Sequence, residues 1–408
     1  MKFNNIYIII PLLFLMIVNP LLSPSVSAEE FDFDAESVIL IEAETGRTIY
    51  ENNAEKSWPP ASLTKVMTLV IGLEALNEGE LELEETTRVS AKANQTGGSQ
   101  MFLRENQEVT IEDLLTGIAV VSANDGCVAL AEHMEGSVNN FVNRMNEKAE
   151  EIGLENTNFK DPHGLASDGQ YMNARDVARL SQYAVNETPK ILELESITGF
   201  QFNIESTQYN RNLMLPDHPQ TTRYSYEGTD GLKTGQIEEA GYNFVGTAQR
   251  DDMRLIAVVL GAEEQTERFN ITRQLFDHGF SEYQKIKLFD EGDELEQVDV
   301  KDGSERQTMA ISETEANVTT KFDNDQELEF VFQPKDEELR APIQKGEYLG
   351  ELLVIEDGKE IASIPGIAQD EVEELGFFGR IARTISDAIS NTFESIKDSI
   401  VDFIFGDD

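Results

Sequence analysis

Two hydrophobic rhythms run along the chain, and the places where one gives way to the other divide it. Val38-Ile39-Leu40-Ile41 and Thr48-Ile49-Tyr50 read as strands joined by a turn at Thr45-Gly46. Over residues 62–76 the apolar positions Val66, Leu69, Val70 and Leu73 keep helical spacing, and Asn77 and Gly79 mark the stop. Residues 110–183 are mostly helical in pattern. One stripe is Leu114, Leu115, Ile118 and Val121; another is Val138, Phe141, Val142 and Met145. Strand patterns return at 230–234, 242–248 and 255–261, followed by a helix over 266–280. Strands at both ends with a helical insertion between them predict a mixed α/β (α+β) domain over 29–285, its sheet covered by helices.

From residue 286 the period shortens to two, as in Glu327-Leu328-Glu329-Phe330-Val331-Phe332 and 349–355. Turns at Asp302-Gly303, Asp323-Asn324 and Asp357-Gly358 separate such runs, which predicts a small all-β domain over 286–366. An acidic linker follows at 367–376. In 377–408, Phe378, Ile381, Ile385, Ile389, Phe393, Ile396, Ile400 and Phe403 recur at spacings of three and four, with charged residues opposite. This is the pattern of an amphipathic helix. It carries too many charges to span a bilayer, and burial of Phe and Ile on a membrane surface is the expected use. Docking on the protein itself or on a second copy is the competing use.

At the other end, Lys2 precedes an apolar run from Ile6 to Val18, shorter than the roughly 20 residues that span a bilayer. Val26-Ser27-Ala28 then supplies small residues for cleavage. Residues 1–28 are therefore expected to be a secretory signal. The single cysteine, Cys127, allows no internal disulfide.

The formal net charge is -45, from 77 acidic and 32 basic residues in 408. Such a surface excludes nucleic acid as the main partner, because phosphate binding needs clustered Lys and Arg. Two readings of the acid stay open: a solubilising surface, or a host living in high salt, where the short Debye length screens self-repulsion.

Candidate chemistry stands in three short motifs: Ser62-Leu63-Thr64-Lys65, Ser122-Ala123-Asn124 and Lys233-Thr234-Gly235. A Ser-x-x-Lys spacing arises by chance in a chain this long. Here Pro59-Pro60-Ala61 leads into it, placing Ser62 at a helix start and Lys65 one turn on. A serine hydroxyl needs a base, and a lysine amine serves only when burial or a nearby cation such as Lys233 lowers its pKa. Ser122 offers a hydroxyl for proton relay, and Asn124 an amide to bind a peptide carbonyl or hold Lys65. Lys233 and Thr234 end an expected strand and suit a carboxylate, while Gly235 admits close approach of a ligand backbone. Cys127 reads as a small buried hydrophobe without a catalytic role. His133, His163, His218 and His278 show no close metal spacing, His163 being suited to shaping a turn. No cofactor and no metal are expected.

With these motifs the sequence resembles the low-molecular-weight penicillin-binding proteins that act as serine-type D-alanyl-D-alanine carboxypeptidases. Pro162-His163-Gly164-Leu165, Asp230-Gly231-Leu232 before Lys233, and Ala240-Gly241-Tyr242-Asn243 add to the match. The resemblance implies a β-lactamase/DD-peptidase-like domain, with an antiparallel sheet flanked by helices. It also implies acylation of Ser62 by the penultimate D-alanine, loss of the terminal D-alanine, and hydrolysis of the ester. Peptidoglycan stem peptides would be the substrate, β-lactam antibiotics covalent inhibitors, and the outer face of the cytoplasmic membrane the location. The backbone N–H groups of Ser62 and Gln236 would form the oxyanion hole. Arg211 and Arg268 match positions that hold the substrate carboxylate. A serine β-lactamase shares the first motif, but Ala123 stands where class A enzymes have Asp. A non-catalytic wall scaffold is the remaining alternative.

Overall fold

The protein is described from a computed structural model, over residues 31–165, 168–322 and 328–377 and the later positions 379, 381 and 383. The expected signal over 1–28 and nearly all of the terminal helix lie outside the described residues. Residues 31–34 lie outside the main unit, and there the rings of Phe31 and Phe33 stack 5.0 Å apart. The rest, from Ala35, is one compact unit.

Six strands build the main sheet, all of them paired antiparallel. Thr48–Asn52 lies at one edge, followed by Ser37–Glu42, Met253–Ala262 and Gly241–Arg250. Thr229–Gly231 and Thr234–Ile237 then share the far side of Gly241–Arg250 in succession. The two-residue alternation sorts side chains between two layers. Ile39, Ile41, Ile256, Val258 and Leu260 face the large helical core, whereas Leu40 and Leu255 pack against Gly279 of helix Glu267–Glu282. The helical layer contains Lys65–Asn77, Ile111–Val120, Asn124–Glu135, Val138–Ile152 and Ala174–Glu187. Helix Lys65–Asn77 is buried on nearly every side, as suits a central core helix.

Two expectations need correction. The helix read from Ser62 begins as a 3-10 turn over Ala61–Thr64, and the α-helix starts at Lys65. The strand read through 230–234 is broken, with Leu232 and Lys233 between Thr229–Gly231 and Thr234–Ile237.

From Tyr283 to Ala368 the described chain forms strands without helices. One sheet runs in the order Glu329–Pro334, Tyr348–Glu356, Lys359–Ala368, Gln307–Ser312, Glu294–Lys301 and Leu339–Arg340. A separate pair, Tyr283–Phe289 with Ala316–Lys321, packs on it through Val318, Leu352, Val354 and Ile364. The mixed domain followed by an all-β one is the architecture expected from the hydrophobic pattern.

Charges join the two layers of the chain. Arg47, in the turn before Thr48–Asn52, donates to the Thr319 carbonyl and pairs with Glu356, and its guanidinium lies over the Tyr283 ring. The side chains of this pair are only 9% and 5% exposed. Breaking such a buried pair from one side typically costs about 3–5 kcal/mol, because the remaining charge is left uncompensated. Glu44 nearby pairs with Lys285 and accepts from Asn317 at 3.2 Å.

Candidate active site

Ser62 sits in a turn that the rest of the domain clamps. Ala61 adopts φ +49, and its carbonyl accepts from Thr64 Oγ1 at 2.8 Å. Gly164, itself at φ +80, presses against that carbonyl: a Cβ there would stand 1.7 Å from the Ala61 oxygen, so no other residue fits. Asn243 ties the approach, donating Nδ2 to the Pro59 carbonyl at 2.9 Å and accepting from the Gly261 amide at 2.9 Å. From the sheet side Gly235 comes equally near, with its Cβ position 2.9 Å from the Pro60 carbonyl and 3.3 Å from Ser62 N. The close approach at Gly235 is thus to the protein's own serine turn.

One turn on, Lys65 has no solvent exposure. Its Nζ is 3.0 Å from Ser62 Oγ and donates to the His163 carbonyl at 2.6 Å. Burial, and then the positive charge of Lys233, lower its ammonium to about 8. A thiolate at Cys127 would oppose this, but burial pushes that thiol up to about 12. Asp161 tightens the neighbouring loop, accepting from the His163 and Gly164 amides at 3.0 and 2.6 Å. The His163 ring beside it and these amides outweigh its burial and hold its carboxyl down to about 2.

Ser122 is buried, takes a left-handed φ of +61, and its Oγ has no hydrogen-bond partner among the described groups. Asn124 opens helix Asn124–Glu135. It holds the Gly97 carbonyl at 2.8 Å through Nδ2, not Lys65, while Oδ1 stays unpartnered. Asp125 supports this corner by accepting from the Met101 and Leu103 amides.

Lys233 is buried beneath the strand break, and its Nζ reaches the Ala119 carbonyl at 3.4 Å. Thr234 and Gly235 begin the next strand, opposite Phe244 and Asn243, and Gln236 on that strand is exposed. Arg268, on helix Glu267–Glu282, is 2% exposed and donates Nη1 to the Gly235 and Asn243 carbonyls at 3.2 and 3.1 Å. Burial and then Arg211 lower its pKa to about 10. Arg211 itself is exposed.

A cavity of about 420 Å³ brings most of these groups to one place. Its lining includes Ser62, Asn124, Arg211, Thr234, Gly235, Gln236 and Arg268. Lys65, Ser122 and Lys233 lie behind that wall. The arrangement offers a hydroxyl touching an amine that loses its proton near pH 8, with cations at the opposite end. It suits attack on a carbonyl whose neighbour carries a carboxylate. Residue-by-residue reading missed Asp161, Asp125 and Glu195. Each is an acid whose buried use no periodicity signals.

The sequence profile of the Peptidase S11 family, D-alanyl-D-alanine carboxypeptidase, matches residues 24–264. That of the penicillin-binding protein 5 C-terminal domain matches residues 283–374. D-alanyl-D-alanine carboxypeptidase DacF of Bacillus subtilis (strain 168) is 36% identical over 362 residues, 88% of this chain and 91% of its own. Penicillin binding protein 5 from Haemophilus influenzae has a crystal structure 33% identical in sequence. It superposes with a TM-score of 0.76 over 85% of this chain and 100% of that one. Penicillin-Binding Protein D2 from Listeria monocytogenes, in its ampicillin bound form, matches 62% of this chain and 100% of its own, at 30% identity and a TM-score of 0.55. With profile, relatives and fold in agreement over most of its length, the chain belongs to the D-alanyl-D-alanine carboxypeptidase family.

Proposed function

We propose that the protein is a serine D-Ala-D-Ala carboxypeptidase of the penicillin-binding class, acting on peptidoglycan stem peptides. The observation that carries this reading is the buried Lys65 amine 3.0 Å from Ser62 Oγ, within a chain of this family. Neutral Lys65 takes the Ser62 proton as Oγ attacks the penultimate D-alanine carbonyl. The Ser62 and Gln236 amides meet the charge that develops on the carbonyl oxygen. Collapse breaks the peptide bond, and the proton passes through Ser122 to the leaving D-alanine amine. Asn124 holds the substrate backbone, and water then cleaves the ester. A β-lactam acylates Ser62 in the same way, but its leaving amine stays tethered to the acyl group and the ester persists. The ampicillin-bound Listeria relative supports that reading.

The test is a peptide ending in D-Ala-D-Ala, assayed for free D-alanine beside labelled penicillin. Released D-alanine with a long-lived adduct on Ser62 supports the proposal. Fast turnover of the penicillin indicates a β-lactamase, and no adduct a scaffold.

Thr234, Arg268 and Arg211 bind the substrate carboxylate in this reading. Arg268→Ala is expected to raise KM and lower kcat/KM by about 10–100-fold, with an amidated peptide almost unaffected. Equal losses on amidated and free-acid peptides would make the arginine structural, through its bonds to Gly235 and Asn243.

The sequence of the two ends supports export and attachment to the outer membrane face through 377–408. In vesicle flotation at high salt, the mature chain is expected to float and a chain cut after Glu374 to stay in solution. Equal behaviour of the two defeats the anchor.

A further inference from the structure

Of the two arginines read as binding the substrate carboxylate, Arg268 is buried and fastened to two carbonyls, whereas Arg211 is exposed on the cavity wall. The place of its guanidinium therefore depends on the backbone that carries it. Arg211 follows the short strand Gln208–Tyr209, and residues 211–228 contain neither helix nor strand.

Side chains hold this loop instead. Asn210 is buried, donates Nδ2 to the Glu195 and Ile197 carbonyls at 2.9 and 3.1 Å, and accepts from the Asn212 amide at 2.9 Å. Asn212, also buried, donates to the Gly231 carbonyl at 3.2 Å and accepts from the Met214 amide at 3.1 Å. Gly231 stands three residues before Thr234, so this bond relates the Arg211 loop to the strand on the other side of the carboxylate site.

His218 closes the loop from further along the chain. Its ring is buried, with Nε2 2.8 Å from the Asn210 carbonyl oxygen. That carbonyl shares one planar peptide group with the Arg211 amide, so the bond fixes the plane from which Arg211 sets out. Nδ1 accepts from the Gln220 amide at 3.3 Å. A carbonyl only accepts and an amide N–H only donates, so the two bonds together require a neutral ring with its proton on Nε2.

We propose that His218 is a positioning residue for substrate binding, its Nε2–H holding the Asn210–Arg211 peptide so that Arg211 meets the carboxylate of the terminal D-alanine. The proposal rests on the carboxypeptidase reading and adds a residue to it. His218 does not line the cavity and acts through Arg211.

The experiment measures kcat and KM of the mature chain on a peptide ending in D-Ala-D-Ala and on its C-terminal amide. His218→Phe keeps a ring of similar size and removes both nitrogens. It is expected to raise KM on the free-acid peptide by about tenfold with kcat nearly kept, and to leave the amide almost unaffected. His218→Gln returns an N–H donor near the place of Nε2 and should recover most of the loss. In an Arg211→Ala background, His218→Phe should add nothing further. Equal losses on the two peptides, an unchanged KM, no recovery in His218→Gln, or a further loss once Arg211 is gone each overturn the proposal. If His218→Phe shows no cooperative thermal transition, His218→Asn, too short to reach the Asn210 carbonyl, is read in the same way. Failure of both to fold makes His218 structural and overturns the proposal. A wild type that cleaves the two peptides alike removes the carboxylate role from Arg211, and the proposal with it. A wild type that cleaves neither would instead overturn the carboxypeptidase reading itself.

Discussion

Ser62→Ala is expected to abolish penicillin labelling and to cut D-alanine release by about 10⁴-fold or more. Of the two hydroxyls in the serine turn, that of Thr64 is buried and donates to the Ala61 carbonyl, whereas that of Ser62 lines the cavity with its amine partner already at 3.0 Å. The fold should barely change. The turn is held by Thr64, Gly164, Gly235 and Asn243 through the backbone of residues 59–61, none of which needs the Ser62 oxygen. Thermal stability should stay within about 1 kcal/mol of the wild type. A Ser62→Ala protein that still releases D-alanine at the wild-type rate would remove the nucleophile assignment.

Lys65→Gln should cost about 10²–10⁴ in kcat/KM, the usual share of a general base. The wild type supplies a finer test. Because the amine acts only when neutral and its ammonium is lowered to about 8, kcat/KM should rise nearly tenfold per pH unit from pH 6 and level off above 8. A flat profile over that range would mean that another group takes the proton. The same shift has a thermodynamic side. Between about 8 and the ordinary 10.5, the unfolded chain holds a proton on Lys65 that the folded chain has lost. The contribution of this residue to stability therefore rises with pH across that window.

The main sheet was legible because its central strands are short continuous apolar runs, buried on both faces: Ile39 and Ile41 point one way and Leu40 the other, as Ile256 and Leu255 do. The serine and lysine motifs were legible for a different reason, since a fixed chemical spacing survives any uncertainty in the surrounding element. What escaped notice has no period. Residues 110–183 read as mostly helical, yet Asn158, Asp161 and Gln170 hold a non-helical stretch together by side-chain bonds to backbone amides and carbonyls. The break at Lys233 depends on the register shift between Thr229 and Gly231, which depends on neighbouring strands and not on local pattern. Glu195 sits in Lys-Ile-Leu-Glu-Leu-Glu, where alternating acids suggest a solvated face, but that end of the helix is buried. Gly235 was read as admitting a ligand backbone; in the fold its open side lies against Pro60 and Ser62.

The two family profiles stop and start at residues 264 and 283, and the chain between them is mostly the helix Glu267–Glu282, not a tether. Arg47 and Glu44 lie in the turn that joins the first two strands of the catalytic sheet, while their partners Glu356, Thr319 and Lys285 belong to the β region. The modules are therefore not beads on a string. A recombination event that exchanged the β region for a relative's would have to bring an acid to the place of Glu356 and a base to that of Lys285, or leave a guanidinium stranded in the seam. Selection on that junction would then act on residues at opposite ends of the chain together, and lineages that changed one partner should show compensating change in the other.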